Sequence, residues 1–182
     1  MDIKILNQTA VQMVANSKGI LAIDESHGTI QKRFDSLGIE VNEENRRSYR
    51  DMLLTTNSLS NYISGAILFD ETIRQKTSQG KSFPDYLNEI GIIPGIKVDT
   101  GAKPFSCHEN EMITEGLDNL PQRMEEYRTL GAKFAKWRAV ITIGKNIPSN
   151  ACMIANAHAL ARYASIGQDV NIVPIVEPEV LM

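Results

Sequence analysis

Residues 131–144 read GAKFAKWRAVITIG. Two glycines bracket a run of Ala, Phe, Trp, Val and Ile that is interrupted by Lys136 and Arg138. Its composition suits a strand of a parallel sheet, buried on both faces. Side chains two apart on a strand share a face, so Phe134, Lys136 and Arg138 point one way. Trp137 points the other way, where it would fill the space between the sheet and its covering helices.

Four more runs of this kind lie at 19–24, 63–69, 93–99 and 171–177. Helical patterns separate them. Asn42 can cap a helix that carries Glu43 and Glu44 in its first turn. Pro84 and Pro121 open short helices that stop at Gly91 and Gly131, and an Ala-rich helix follows Pro148 with Ser149 or Asn150 as its cap. The alternation predicts a parallel α/β sheet with right-handed crossovers, either an open doubly wound sheet or a closed (β/α)8 barrel. Length alone favours the open sheet, because a barrel takes roughly 250 residues. An open sheet, however, normally ends on a helix that covers its last strand, and none follows Pro178. The chain is therefore expected to be one domain, 1–182, that begins a larger α/β unit.

Polar residues stand at the carboxyl end of nearly every run, where parallel sheets and barrels carry their active sites, and within the run 133–143. They are Asp24-Glu25-Ser26, Asp70-Glu71, Lys97-Val98-Asp99, Lys136-Trp137-Arg138 and Glu177-Pro178-Glu179. Lys97 and Asp99 share a face, and so do Val173, Ile175 and Glu177. Ammonium and guanidinium groups beside carboxylates in a partly dehydrated cavity can bind a phosphate dianion, shift the pKa of a lysine and move protons. Ser26, Gly28 and Thr29 suit the start of a helix, either as a phosphate seat or simply as caps.

Other chemistries find less support. Asp24, Ser26 and His27 are too close in sequence to form a triad, and there is no G-x-S-x-G. His27, His108 and His158 are scattered without metal-ligand spacing, so no metal is expected. Cys107 and Cys152 allow at most one disulfide, which fits a reducing, cytoplasmic setting. The 19 basic and 22 acidic side chains leave no basic field for nucleic acid or an anionic membrane, and the N-terminal stretch has no signal-length apolar run.

Taken together, GILAIDES-x-x-T-x-x-KR, EENRRSYRDMLLTT, GAILFDETIRQK, GIKVDTG, GLDNLPQR, GAKFAKWRAV, LARYAS and IVPIVEPEVL closely resemble the class I fructose-bisphosphate aldolases, collinearly from Gly19 to the last residue. The resemblance implies a (β/α)8 TIM barrel, here incomplete at about five β/α units. It also implies reversible, cofactor-free cleavage of fructose 1,6-bisphosphate to dihydroxyacetone phosphate and glyceraldehyde 3-phosphate through a lysine imine, in an enzyme that is commonly a homo-tetramer. By the same resemblance Asp24 is the carboxylate beside the reacting hydroxyl and Glu177 the acid/base. Lys136 is the second active-site lysine, whose charge keeps the nucleophilic amine neutral, and Glu179 supports that network. Ser26, Thr29, Arg33, Lys97 and Arg138 fall where sugar phosphates bind, with Thr29 in a place where serine is usual.

The family's imine-forming lysine belongs to a sixth strand, in a motif of the form EGTLLKP that does not occur in these 182 residues. Lys97 and Lys136 match other positions and do not replace it. The polypeptide by itself is thus expected to be inactive, as the N-terminal part of an aldolase or as a non-catalytic remnant that binds sugar phosphates. Its unpaired outer strands are expected to make it marginal or aggregation-prone.

Overall fold

A computed structural model describes all 182 residues. Five parallel strands form a curled sheet in the order β1 (Gly19–Ala22), β2 (Ile63–Leu68), β3 (Ile93–Lys97), β6 (Phe134–Thr142) and β7 (Val173–Leu181). Between β3 and β6 an antiparallel hairpin, β4 (Gly101–Pro104) and β5 (Met112–Glu115), rises at the carboxyl ends of the strands. The result is an incomplete TIM barrel: an α/β half-barrel whose concave side is the barrel interior.

The sequence signals act where they stand. Asn42 Oδ1 accepts from Asn45 N–H at 2.8 Å and starts α3 (Glu43–Leu54), and Ser149 Oγ accepts from Cys152 N–H at 3.1 Å and starts α7 (Asn150–Asp169). Pro84 and Pro121 sit in the first turns of α5 (Phe83–Glu89) and α6 (Leu120–Thr129). The structure adds α1 (Ile3–Met13), the hairpin and the short α4 (Asp70–Arg74), and extends the last strand to Leu181. No helix is long and apolar enough to cross a membrane.

Two apolar layers cover the two faces of the sheet. On the convex face Ala66, Leu68, Ile96, Ala135 and Trp137 pack against Leu54, Phe83, Leu87, Met124, Leu160 and Tyr163 of the helices. Trp137 is fully buried and its ring stacks at 5.6 Å on Tyr163 of α7, so it fills the space between strand and helix. The concave side is closed near the amino ends of the strands by Met13, Ile67, Ile93 and Phe134, with Ile20, Val173 and Ile175 alongside. The Phe134 ring lies against Gly65 and Gly95, and a Cβ at Gly95 would come within 2.2 Å of it. Only residues without side chains on β2 and β3 leave room for that ring.

β7 is bonded to the sheet along the edge that faces β6. Val173 N–H donates to Lys133 O, and Leu181 O accepts from Ile143 N–H, so odd-numbered residues of β7 face β6 and even-numbered ones face outward. Pro174 and Pro178 take two of these outward positions, where their missing N–H groups cost no bond to β6.

Candidate active site

The register that seats Phe134 beneath the sheet also determines what stands above it. Lys97 pairs laterally with Lys136, Lys136 with Ile175, and Arg138 with Glu177. One residue pair up each strand from the apolar plug, the concave face becomes charged. Asp24, just past the end of β1, reaches across the interior to this face: its Oδ2 lies 2.6 Å from Lys136 Nζ. Glu177 Oε2 lies 3.6 Å from the same nitrogen. Burial works against the Lys136 ammonium, but the hydrogen bond and charge of Asp24, then the charges of Glu177 and Asp99, outweigh it and raise its pKa above the ordinary lysine value. Lys136 is therefore a cation in this site rather than a free amine.

These groups open into a cavity of about 1010 Å³, lined by Asp24, Ser26, Thr29, Arg33, Lys97, Lys136 and Arg138 among others. Ser26 stands at the N-cap of α2 (His27–Asp35) without capping it, and its hydroxyl lies 3.2 Å from that of Thr29. Both hydroxyls are left on the cavity side beside free helix N–H groups, an arrangement suited to an anion. Arg33 is held by the Glu25 carboxylate and, at 3.0 Å, by Tyr49 Oη. Lys97 Nζ donates to Asp99 Oδ1 at 2.6 Å and to Asp99 O at 2.9 Å. Arg138 Nε pairs with Glu179 of β7; Glu177 and Glu179 meet the cavity-lining Lys136 and Arg138 but do not line the cavity themselves.

The sequence that builds this half-barrel matches a known family along almost the whole chain. Residues 5–182 match the model of the family described as fructose-bisphosphate aldolase class-I. The chain belongs to the class I fructose-bisphosphate aldolase family. It is 64% identical over 182 residues to a probable fructose-bisphosphate aldolase class 1 of Xanthomonas campestris, covering all of this chain and 54% of that protein. It is 52% identical to fructose-bisphosphate aldolase 1 of Toxoplasma gondii, covering 98% of this chain and 50% of the relative. Among solved structures, the aldolase of Plasmodium falciparum, crystallised with TRAP and a small-molecule inhibitor, superposes with a TM-score of 0.94 at 49% identity, over 98% of this chain and 52% of that one. The chain spans about half the length of these relatives.

Within this aldolase half-barrel the cavity also takes in residues to which the sequence assigned no role. Asp99 accepts from Lys97 Nζ, from Gly101 N–H at 3.0 Å and from Arg138 N–H at 3.3 Å. Arg123 of α6 donates to Val98 O and braces the tip of β3. Asp70, Arg74 and Tyr127 form the wall between α4 and α6, with Tyr127 Oη donating to Asp70 at 2.9 Å. Burial would raise the Asp70 pKa, but hydrogen bonds from Arg74 and Tyr127 outweigh it and keep the carboxyl below its usual value. Asp70 and Asp99 were visible as strand-end charges; Arg123 and Tyr127 had no signal beyond a helix face.

The remaining reactive residues lie elsewhere. Cys152 is buried, and burial followed by the nearby charge of Glu111 raises its thiol pKa, which suits packing rather than nucleophilic attack. Cys107 and His108 sit on the loop of the β4–β5 hairpin, where the His108 ring stacks on Phe105. No three His, Cys, Asp or Glu side chains are grouped to hold a metal ion.

Proposed function

We propose that this chain supplies the proton-transfer and first phosphate-binding half of a class I aldolase active site, in an enzyme that reversibly cleaves fructose 1,6-bisphosphate to dihydroxyacetone phosphate and glyceraldehyde 3-phosphate. The observation that carries the reading is Lys136 Nζ placed between Asp24 at 2.6 Å and Glu177 at 3.6 Å, at the carboxyl end of the barrel. A cation with two carboxylates in reach can pass and receive protons as the carbinolamine formed from a lysine amine and the substrate ketone loses water to give an iminium, and as the enamine left by cleavage of the carbon–carbon bond is protonated. Because Lys136 stays protonated, it lowers the pKa of a neighbouring amine by charge repulsion and leaves nucleophilic attack to that amine. Asp24 acts on the reacting hydroxyl, Glu177 serves as acid and base, and Glu179 holds Arg138. Ser26, Thr29, Arg33, Lys97 and Arg138 bind the phosphates, Lys and Arg as charge and the hydroxyls as hydrogen-bond partners.

The nucleophile in this reading is a lysine outside these 182 residues, so the chain alone binds sugar phosphates without turning them over. Such binding without chemistry would equally serve a non-catalytic remnant. Borohydride reduction in the presence of dihydroxyacetone phosphate tests the assignment. The chain is expected to remain unlabelled; covalent mass added to Lys97 or Lys136 would overturn it. Loss of inorganic phosphate binding would remove the substrate reading altogether.

A further inference from the structure

Lys97 and Lys136 are lateral partners on adjacent parallel strands, with side chains on the same concave face. Two ammonium groups so placed repel each other. The structure separates them. Lys136 takes Asp24 and Glu177, whereas Lys97 turns toward the rim and spends two donors on Asp99, one on its carboxylate and one on its carbonyl. The Asp99 side chain is only 3% exposed, and besides Lys97 it accepts from Gly101 N–H, where the hairpin begins, and from Arg138 N–H on β6. Its own backbone is gripped as well: Gly116, at φ +130, brings the far end of the hairpin against it, so that a Cβ there would lie 3.1 Å from Asp99 Cα.

We propose that Asp99 is a positioning residue that sorts the two lysines. It holds the Lys97 ammonium at the rim, where a phosphate can meet its third proton, and keeps it out of the Asp24–Lys136–Glu177 cluster. Through Arg138 N–H it also fixes the strand position from which the Arg138 guanidinium extends. The proposal rests on the phosphate-binding reading for its consequence but not for its geometry. Without the Asp99 charge, Lys97 becomes free to swing inward and share Asp24, which disturbs Lys136 and withdraws a cation from the rim.

The test uses the chain with 15N-labelled lysine, followed by ammonium-detected NMR, and inorganic phosphate as the probe. The wild type should give a slowly exchanging Lys97 ammonium signal that correlates with the Asp99 carboxyl carbon. In Asp99→Asn, whose one amide oxygen can keep the Gly101 bond made at Oδ1 but not also the Arg138 bond made at Oδ2, the Lys97 signal should be lost and the Lys136 signal should move, with far-UV circular dichroism checking that the fold is kept. Phosphate affinity should fall at least threefold, Asp99→Glu should recover part of it, and the loss caused by Asp99→Asn should be smaller in a Lys97→Met background. A wild type without the Lys97–Asp99 correlation, or an Asp99→Asn variant with the Lys136 resonance and phosphate affinity of the wild type, would overturn the proposal. Should the wild type not bind phosphate, the substrate reading falls while the Lys136 resonance still decides the positioning role.

Discussion

The seat of Phe134 invites a direct test, Gly95→Ala. An ideal Cβ at Gly95 would lie 2.2, 2.3 and 2.5 Å from three atoms of the Phe134 ring. Carbon atoms pack at about 3.5–4.0 Å, so the ring has to retreat by more than ~1 Å. Gly65 bounds it on the neighbouring strand, with a Cβ position 3.0 Å from the ring, and Phe134 is fully buried, so there is little space to retreat into. Overpacking of a well-filled core costs about 1–3 kcal/mol, and an overlap of three ring atoms belongs at the upper end, about 3 kcal/mol. For a chain of this size that lowers the midpoint of thermal unfolding by roughly 6–12 °C. Trp137 is the only tryptophan and lies three residues along the same strand, so its fluorescence in a urea titration reports the loss directly. Phe134→Leu removes the end of the ring that clashes. The double variant should therefore be more stable than the sum of the two single changes by about 1 kcal/mol or more. A Gly95→Ala chain within about 0.5 kcal/mol of the wild type, or strict additivity with Phe134→Leu, would refute the packing argument. Because Lys136 stands two residues above Phe134 on the same face, the same displacement should also disturb its pairing with Asp24.

Two further changes address the site and β7. Lys136→Met leaves Asp24 without its cation in a place where the two side chains are 12% and 9% exposed, and should cost about 3 kcal/mol at neutral pH. The folded pKa of Lys136 is raised, so its contribution is complete below the ordinary value of 10.5 and is lost as pH rises through the folded value. The gap between wild type and variant in urea titrations should therefore close on the alkaline side; a gap independent of pH would contradict the ion pair. Pro174→Val with Pro178→Val restores two outward N–H donors to the edge of β7. Sedimentation velocity on these 182 residues should show concentration-dependent self-association beyond that of the wild type, and an unchanged profile would mean that the two N–H groups do not drive strand pairing.

Much of this arrangement was legible along the chain because it follows from periods of two and from local capping. The alternation through Phe134, Lys136 and Arg138, the caps at Asn42 and Ser149, and the strand-end charges all depend on neighbours a few residues apart. The β4–β5 hairpin was not legible: its strands are four residues each without an apolar run, and they are held by long-range bonds such as Thr114 Oγ1 to Arg138 O at 2.8 Å. Asp99 was visible as the same-face neighbour of Lys97, but its three-way role depends on Gly101 and Arg138 being brought to it.

The sequence by itself determined which side chains share a face, which strand ends are charged, and the likeness to an aldolase barrel. Only the tertiary structure decided which carboxylate each lysine takes. Asp24 and Lys136 are separated by more than a hundred residues and by two intervening strands, and they meet at 2.6 Å because the sheet curls. The curvature that joins them is a property of the sheet as a whole, set by strand twist and by the packing of Phe134 over Gly65 and Gly95, and no local pattern encodes it.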